Sequence, residues 1–275
     1  MAIRFSLKQA LGISPKLVSL LIFLSGISWC LPMAVQSRAS SFYGLGIPQL
    51  GAGGISRCGD YGNLVAVDLL APNDGARTLA SRPTFYWYID HKSGLNNSPE
   101  TKQKSKKYKV KFFLRDGFKR SAKSIFRFES QATQINQQGT LYKLTLPSNA
   151  PLIDIDKIYS WRISYLEISD SGQSNSQIDV RTFIKRESNQ SVMDEINTAS
   201  TDLLKARIYA RNAYWYDALD AYSKWIDANP RDQQALNERM QMLDQIIDRQ
   251  QKLKCASKFN AIDSRLNMMQ ATPLK

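Results

Sequence analysis

The chain has 275 residues, of which 43% are hydrophobic and 22% charged, and it carries a net charge of +13 with one histidine and three cysteines. That length supplies apolar surface for one or two small cores rather than a large multidomain assembly. One histidine with the two scattered cysteines Cys58 and Cys255 cannot supply a standard zinc site, and only His91 is left for histidine-dependent nucleophilic catalysis.

Residues 1–39 read as a secretory signal peptide. Arg4, Lys8 and Lys16 give a basic start, Leu17 to Leu31 runs apolar, and Ser37-Arg38-Ala39 places small residues at a cleavage site. The rival reading is an uncleaved anchor, because the apolar run to Ala34 approaches membrane-spanning length. Cys30 suggests lipidation, but Trp29 precedes it where a small residue is needed. Loss of Arg4, Lys8, Lys16 and Arg38 lowers the charge from +13 to +9. In a cytosolic chain that surplus would point to nucleic acid. In an exported one, periplasmic or secreted, the anions at hand are envelope polymers, lipid head groups and acidic proteins. The bland alternative is solubility alone. A membrane becomes a partner only if the first segment stays uncleaved. Cys58 and Cys255 are then the remaining cysteines and a candidate disulfide, though sequence alone does not fix their geometry.

Residues 40–62 form a Gly/Ser-rich linker that holds seven of the 14 glycines. Gly51-Ala52-Gly53-Gly54 lacks the Lys-Ser/Thr ending of a phosphate loop and reads as spacer. Residues 63–187 then read as strands at Leu64–Leu70, Thr84–Ile89, Tyr108–Leu114, Ser124–Glu129, Thr140–Leu146, Ile158–Ile168 and Gln177–Lys185. Turn signals separate them at Pro72-Asn73-Asp74-Gly75, Asp116-Gly117, Gln138-Gly139, Pro147 and Asp170-Ser171-Gly172. Alternation is clean where Tyr108, Val110, Phe112 and Leu114 interleave with Lys109 and Lys111. This pattern predicts an all-β antiparallel sandwich of immunoglobulin or fibronectin-III type. In the strand Thr84-Phe85-Tyr86-Trp87-Tyr88-Ile89, Phe85, Trp87 and Ile89 share one face, and Thr84, Tyr86 and Tyr88 the other. Trp87 suits the core between sheets. Tyr159 and Trp161 open the penultimate strand, where such sandwiches often carry a corner tyrosine. The loop His91 to Lys107 carries Lys102, Lys104, Lys106 and Lys107, which suit an anion or a solvated insertion.

Past Arg186 the apolar period changes from two to about 3.6, and residues 190–253 read as a small α-helical hairpin or three-helix segment. One helix is predicted from Met193 to Ala210 and a second from Ala213 to Ala228, stopped by Asn229-Pro230. A third is capped by Asp232, with Leu236, Met240, Leu243, Ile246 and Ile247 on one face. Residues 254–275 read as a flexible tail.

The helical segment resembles one tetratricopeptide repeat. Ala206, Tyr209, Ala218, Tyr222 and Pro230 fit the roughly 34-residue spacing, and Trp225 departs from it, where a small residue is usual. A single repeat is not a peptide-binding solenoid, so its expected task is to pack on the sandwich or on another chain. The layout as a whole resembles the cyanobacterial domain-of-unknown-function 928 family over about residues 55 to 248. The residues that carry the likeness are Arg57-Cys58 after a Gly-rich lead, Arg82-Pro83-Thr84-Phe85-Tyr86-Trp87-Tyr88, Lys157-Ile158-Tyr159-Ser160-Trp161, and Ala213-Tyr214-Trp215-Tyr216-Asp217-Ala218-Leu219 followed by Asn229-Pro230. The family usually has a second cysteine after the Tyr-x-Trp strand. Here Ile168-Ser169-Asp170 has none, which leaves Cys58 without the partner the family implies. The resemblance implies an exported protein and assigns no reaction.

The catalytic inventory is poor: His91 sits in a lysine-rich loop, no Gly-x-Ser-x-Gly elbow exists, and no cofactor or metal motif stands out. Glu167, on an otherwise apolar strand, is the carboxylate most worth attention. The expected function is a non-enzymatic envelope scaffold or adaptor with an unknown envelope protein as partner. The alternative is a carbohydrate- or peptidoglycan-binding module using Tyr86, Tyr88, Lys104, Lys106 and Lys107 on an anionic envelope polymer. A carboxylate-dependent hydrolase is the weaker third reading. Trp87, Tyr159, Trp161, Trp215, Ala218, Tyr222 and Pro230 are expected to be structural. Tyr214, Trp215 and Tyr216 of the helices are the groups that would cover Tyr86 and Tyr88 if no ligand does.

Overall fold

The structure, a computed structural model, describes residues 42–47, 65–91, 107–134, 139–169, 172, 174–250 and 272–273. The described elements, in chain order, are β1 (Val65–Leu69), β2 (Ala76–Thr78), β3 (Thr84–His91), β4 (Lys107–Asp116), β5 (Ser124–Glu129), β6 (Thr133–Gln134), β7 (Thr140–Thr145), β8 (Ile158–Ile168), β9 (Ser174–Arg186), α1 (Gln190–Thr198), α2 (Asp202–Arg211), α3 (Trp215–Ala228), α4 (Gln233–Gln250) and β10 (Thr272–Pro273). The strands that alternation or aromatic runs announce are β1, β3, β4, β5, β7, β8 and β9. The other three, of three, two and two residues, are too short to show a period.

Two sheets result. One has the order β1-β3-β7-β10 and the other β2-β9-β8-β4-β5, with β6 beside β4. The long strands pair antiparallel, but β2 joins β9 and β10 joins β7 in parallel. The sheets are therefore mixed rather than purely antiparallel. Both parallel pairs are short additions at a sheet edge, where a few ladder bonds cover otherwise open backbone.

The inner faces meet through aromatic rings. Phe85 of β3 lies 4.9 Å from Phe112 of β4 and 5.0 Å from Trp161 of β8, centroid to centroid. Trp87 stacks on Tyr142 at 5.7 Å, and the Tyr142 hydroxyl hydrogen-bonds that of Tyr108 on β4. The inward set of β3 is thus the one alternation assigns. Arg82, just before β3, clamps the turn after β7 by donating to the carbonyls of Pro147, Ser148 and Ala150. At the start of β8 the Tyr159 hydroxyl accepts from the Asp154 backbone N–H at 3.1 Å and donates to its carboxylate at 2.9 Å, which fixes the corner leading into the strand.

Helix α3 covers the other face of β3. The Tyr86 hydroxyl donates to Asp220 at 2.9 Å, and Lys143 of β7 pairs with Asp227 at 3.3 Å. Burial, and then the Asp220 carboxylate, hold the Tyr86 phenol well above the usual range. Tyr88 is fully buried, with its hydroxyl where a Cβ on residue 139 would lie, so Gly139 is needed there for space as well as for its φ of +76°.

The helix predicted from Met193 to Ala210 is two helices. Asn189 caps α1 through Val192 N–H at 3.2 Å, and Thr201 caps α2 through Leu204 N–H at 3.1 Å. Ala199 between them is extended. Thr201 offers a local cap that competes with continuing the helix, a signal overlooked when apolar spacing alone is followed. Ala206 and Ala218, both fully buried, let α2 and α3 approach closely. Asp232 caps α4 through Ala235 N–H at 3.1 Å and also accepts from the Trp225 indole at 2.7 Å. Arg207 of α2 makes a two-point contact with Glu238 of α4, at 2.9 and 2.8 Å.

The first turn of α3 is driven into the sandwich. Tyr216 receives the Trp161 indole N–H at 2.8 Å and donates its own proton to the Phe183 carbonyl at 2.9 Å. Trp215 donates to the Leu70 carbonyl at 2.9 Å, and Tyr43, from the Gly-rich lead, packs edge-on against it at 4.9 Å. Asp217 accepts the backbone N–H groups of Leu79 and Ala80 at 3.0 and 3.1 Å. Strands and helices thereby share one core cluster.

Two tests follow from this joint. Tyr216→Phe leaves the indole without an acceptor and the carbonyl without a donor. It should cost about 2–4 kcal/mol in urea unfolding, since each orphaned buried group costs about 1–3 kcal/mol. Burial pushes the Asp217 carboxyl up to about 6, although the two backbone donors pull it the other way. A carboxyl raised above its unfolded value of about 4 contributes stability that is full below that value and is lost as pH rises through about 6. Stability should fall by on the order of 2 kcal/mol between pH 4 and 7, and Asp217→Asn should flatten that slope. An unchanged slope in the variant would mean that burial does not raise the Asp217 carboxyl above its unfolded value.

Candidate anion-binding cleft on the outer sheet

The inward residues of β4 and β8 dictate what points outward. With Phe112, Leu114, Trp161 and Ile163 all fully buried, the intervening positions Phe113, Arg115, Ser160 and Arg162 face away from the core. Strand register then lines them up. Phe113 sits opposite Arg162, which sits opposite Arg181 of β9. In the next row Arg115 sits opposite Ser160, which sits opposite Phe183. A register shift between Leu114 and Arg115, where β4 meets β5, disturbs the ladder at the residue that flanks the site.

The product is a cleft of about 310 Å³ lined by Arg115, Arg120, Ser160, Arg162, Asp179, Val180 and Arg181. Four guanidiniums therefore face one carboxylate. Each strand-borne arginine is held in place. Arg115 donates to the carbonyl of Arg120 in the β4–β5 turn. Arg162 lies over the Phe113 ring at 4.4 Å and reaches Asp179 at 3.7 Å, and Arg181 lies over Phe183 at 5.8 Å. Asp179 also accepts from Ser164 and Gln177. The Nε–H groups of Arg115 and Arg162 are buried and have no partner among the described residues.

Electrostatics mark the same surplus. Partial burial lowers Arg162, Asp179 raises it, and Arg115 lowers it again. Burial also lowers Arg181, followed by the charges of Arg120, Arg115 and Arg162, all in the same direction. Like charges directly opposed across a ladder destabilise a sheet by up to about 1 kcal/mol, and Arg162 and Arg181 are so opposed.

The model of the domain of unknown function 928 (DUF928) matches residues 52–252. The chain belongs to this family. No curated protein matches it. Among solved structures it is similar, at 9% identity and a TM-score of 0.24, to the Pseudomonas fluorescens alkylpurine DNA glycosylase AlkC bound to DNA containing an abasic site analog, over 44% of this chain and 30% of that one. It is also similar to pT26-6p at 14% identity and a TM-score of 0.26, over 61% of this chain and 31% of that one. The chain spans less than a third of either protein's length, and likenesses this slight carry no argument. Within the fold, Phe85, Trp161 and Tyr216 meet one another ring to ring.

Those residues singled out from the sequence that are described fall elsewhere than the cleft. Tyr86 and Tyr88 are 2% and 0% exposed, so β3 presents no aromatic strip to a ligand. The reason is the docking of α3 over Tyr86 and the close approach of Gly139 to Tyr88. Lys107 opens β4 and is exposed, while Lys104, Lys106, Cys58 and Cys255 lie outside the described residues. Trp87, Trp161, Trp215 and Ala218 are fully buried, and Tyr159 and Tyr222 nearly so. Tyr222 donates to Glu238 at 3.2 Å, and Pro230 lies in the turn between α3 and α4. Glu167 lies beside a register shift between β8 and β9. The four arginines of the cleft are separated by up to 66 positions, so only pairing unites them. The available signal was an arginine at an outward position of two predicted strands, with Arg115 one residue past the end of a third.

Removing the single carboxylate should expose this imbalance. Asp179→Asn is expected to destabilise the protein by about 1–2 kcal/mol in urea unfolding at low ionic strength. Added salt should recover part of the loss by screening the arginines.

Proposed function

We propose that this DUF928 protein is an exported, non-enzymatic module of the cell envelope, an adaptor that binds an anionic partner through the arginine cleft. The observation that carries this reading is the set of four guanidiniums around one carboxylate, three prearranged on strands and Arg120 on the β4–β5 turn. Guanidiniums remain protonated and serve poorly as general acids or bases near neutral pH, which favours binding over catalysis. The basic start and apolar run of residues 1–39 support export, and the charge of +9 after their loss suits an anionic partner.

The body that carries the cleft is read as a fibronectin-III-like sandwich. Its support is the order β1-β3-β7 in one sheet, β9-β8-β4-β5 in the other, and the Tyr159 corner. The tetratricopeptide-like hairpin of α2 and α3 is read as a structural brace. Its aromatic residues Trp215 and Tyr216 are spent on the sandwich, so it has no need of a peptide to cover them.

Binding to a soluble polyanion such as polyglutamate, followed against salt concentration, tests the proposal. The double variant Arg162→Glu/Arg181→Glu should weaken binding at least tenfold. Lys205→Glu/Lys224→Glu on the helices makes the same change in net charge away from the cleft and should weaken it far less. Equal losses would reduce the attraction to overall charge and remove the cleft from the account.

A further inference from the structure

We propose that the cleft recognises a phosphate monoester group rather than a carboxylate, an inference that rests on the anion-binding reading above. Four cationic side chains against Asp179 leave a surplus of three charges. A carboxylate would cancel one of them and a phosphate monoester close to two. Geometry points the same way. Arg162 and Arg181 rise side by side from paired positions, while Arg115 lies one row along and Arg120 comes from the β4–β5 turn. Donors arriving from several directions suit a tetrahedral group with oxygens in different planes. A flat carboxylate is matched by one guanidinium fork.

The partnerless Nε–H groups strengthen the case. An Nε–H and the neighbouring Nη–H form one edge of the guanidinium fork, and the buried Nε–H groups of Arg115 and Arg162, two residues that line the cleft, have no partner among the described residues. Two buried donors without acceptors are costly unless a ligand supplies oxygens. Ser160 lines the same cleft and offers a neutral hydroxyl donor at the position paired with Arg115. At about 310 Å³ the space equals roughly ten waters at ~30 Å³ each. That accommodates a phosphoryl group together with part of whatever it is esterified to.

Phe113 is a positioning residue in this scheme. Its ring carries Arg162 at 4.4 Å on one side of the site and Arg127 at 5.3 Å. Holding the guanidinium plane before the ligand arrives reduces the ordering that binding would otherwise require.

Calorimetric titration of the purified protein with methyl phosphate, inorganic phosphate and acetate at matched ionic strength tests the proposal. Both phosphates should bind saturably and at least tenfold tighter than acetate. The affinity of methyl phosphate should rise as pH passes upward through its second pKa of about 6. Arg162→Gln should weaken phosphate at least tenfold while circular dichroism shows a folded protein. Phe113→Ala should weaken it severalfold, with Phe113→Tyr restoring it. Vesicles containing phosphatidic acid form a second arm. Preference for vesicles over methyl phosphate identifies a lipid source, and the reverse identifies a soluble or polymer-borne ester; both support the chemistry. Equal binding of acetate, or phosphate binding indifferent to Arg162→Gln, would overturn it. If polyglutamate binding depends on the cleft but phosphate does not bind, this inference fails and the broader reading stands. If neither binds, both fail.

Discussion

The Tyr216 hydroxyl holds three distant segments at one point. It accepts from the Trp161 indole on β8 and donates to the Phe183 carbonyl on β9, while its ring lies 5.8 Å from Phe85 of β3. A tyrosine so deeply buried is tolerable only with both of its hydrogen-bonding roles filled, and here each role is filled by a different strand. The first turn of α3 is therefore fixed relative to both sheets at once. Trp215 and Asp217, its neighbours, add bonds to Leu70, Leu79 and Ala80 in the segment running from β1 to β3. The helices are consequently part of the sandwich's core rather than an appended module, and the aromatic side chains of β3 have an interior partner on either face.

That joint also decides what the outer surface looks like. With Trp161 turned inward to meet Tyr216, alternation obliges Ser160 and Arg162 to turn outward. A slip of one residue along β8 would bury Arg162 and expose Trp161, at a cost of many kcal/mol, so the register is strongly specified. The arginine cleft inherits this precision. Its cations are placed by the packing of the opposite face, not by loops, and the turn bearing Arg120 closes only one end. A site made in this way needs little reorganisation to receive a ligand.

Most of the fold was legible because its long strands carry either strict alternation or dense aromatics. Val110, Phe112 and Leu114 against Lys109 and Lys111 announce β4, and Thr84 to Ile89 announce β3 without ambiguity of type. Illegible were the elements with no period to read: β2, β6 and β10 are too short, and the break between α1 and α2 depends on a single capping Thr201. The aromatic content of β3 was legible as well, but not its fate. A strand tyrosine such as Tyr86 suits a ligand or a helix carboxylate, and nothing local distinguishes them; Asp220, 134 positions away, settles it. The cleft was the least legible feature, since Arg115, Arg162 and Arg181 are ordinary outward residues until pairing places them in neighbouring rows.

The opposed pair Arg162 and Arg181 is a place where local choice conflicts with stability. Two unit charges several ångströms apart at a half-exposed surface repel by about 1–3 kcal/mol before screening, and Asp179 answers only part of that. Each buried aromatic of the core contributes an amount of the same order through its buried area alone. A dozen large side chains with under 2% exposure, three of them tryptophans, outweigh such a cost many times over. The fold thus tolerates the imbalance. On the anion-binding proposal, an incoming anion would convert that repulsion into attraction. On this protein the core supplies the surplus stability, and the outer sheet is where it is used.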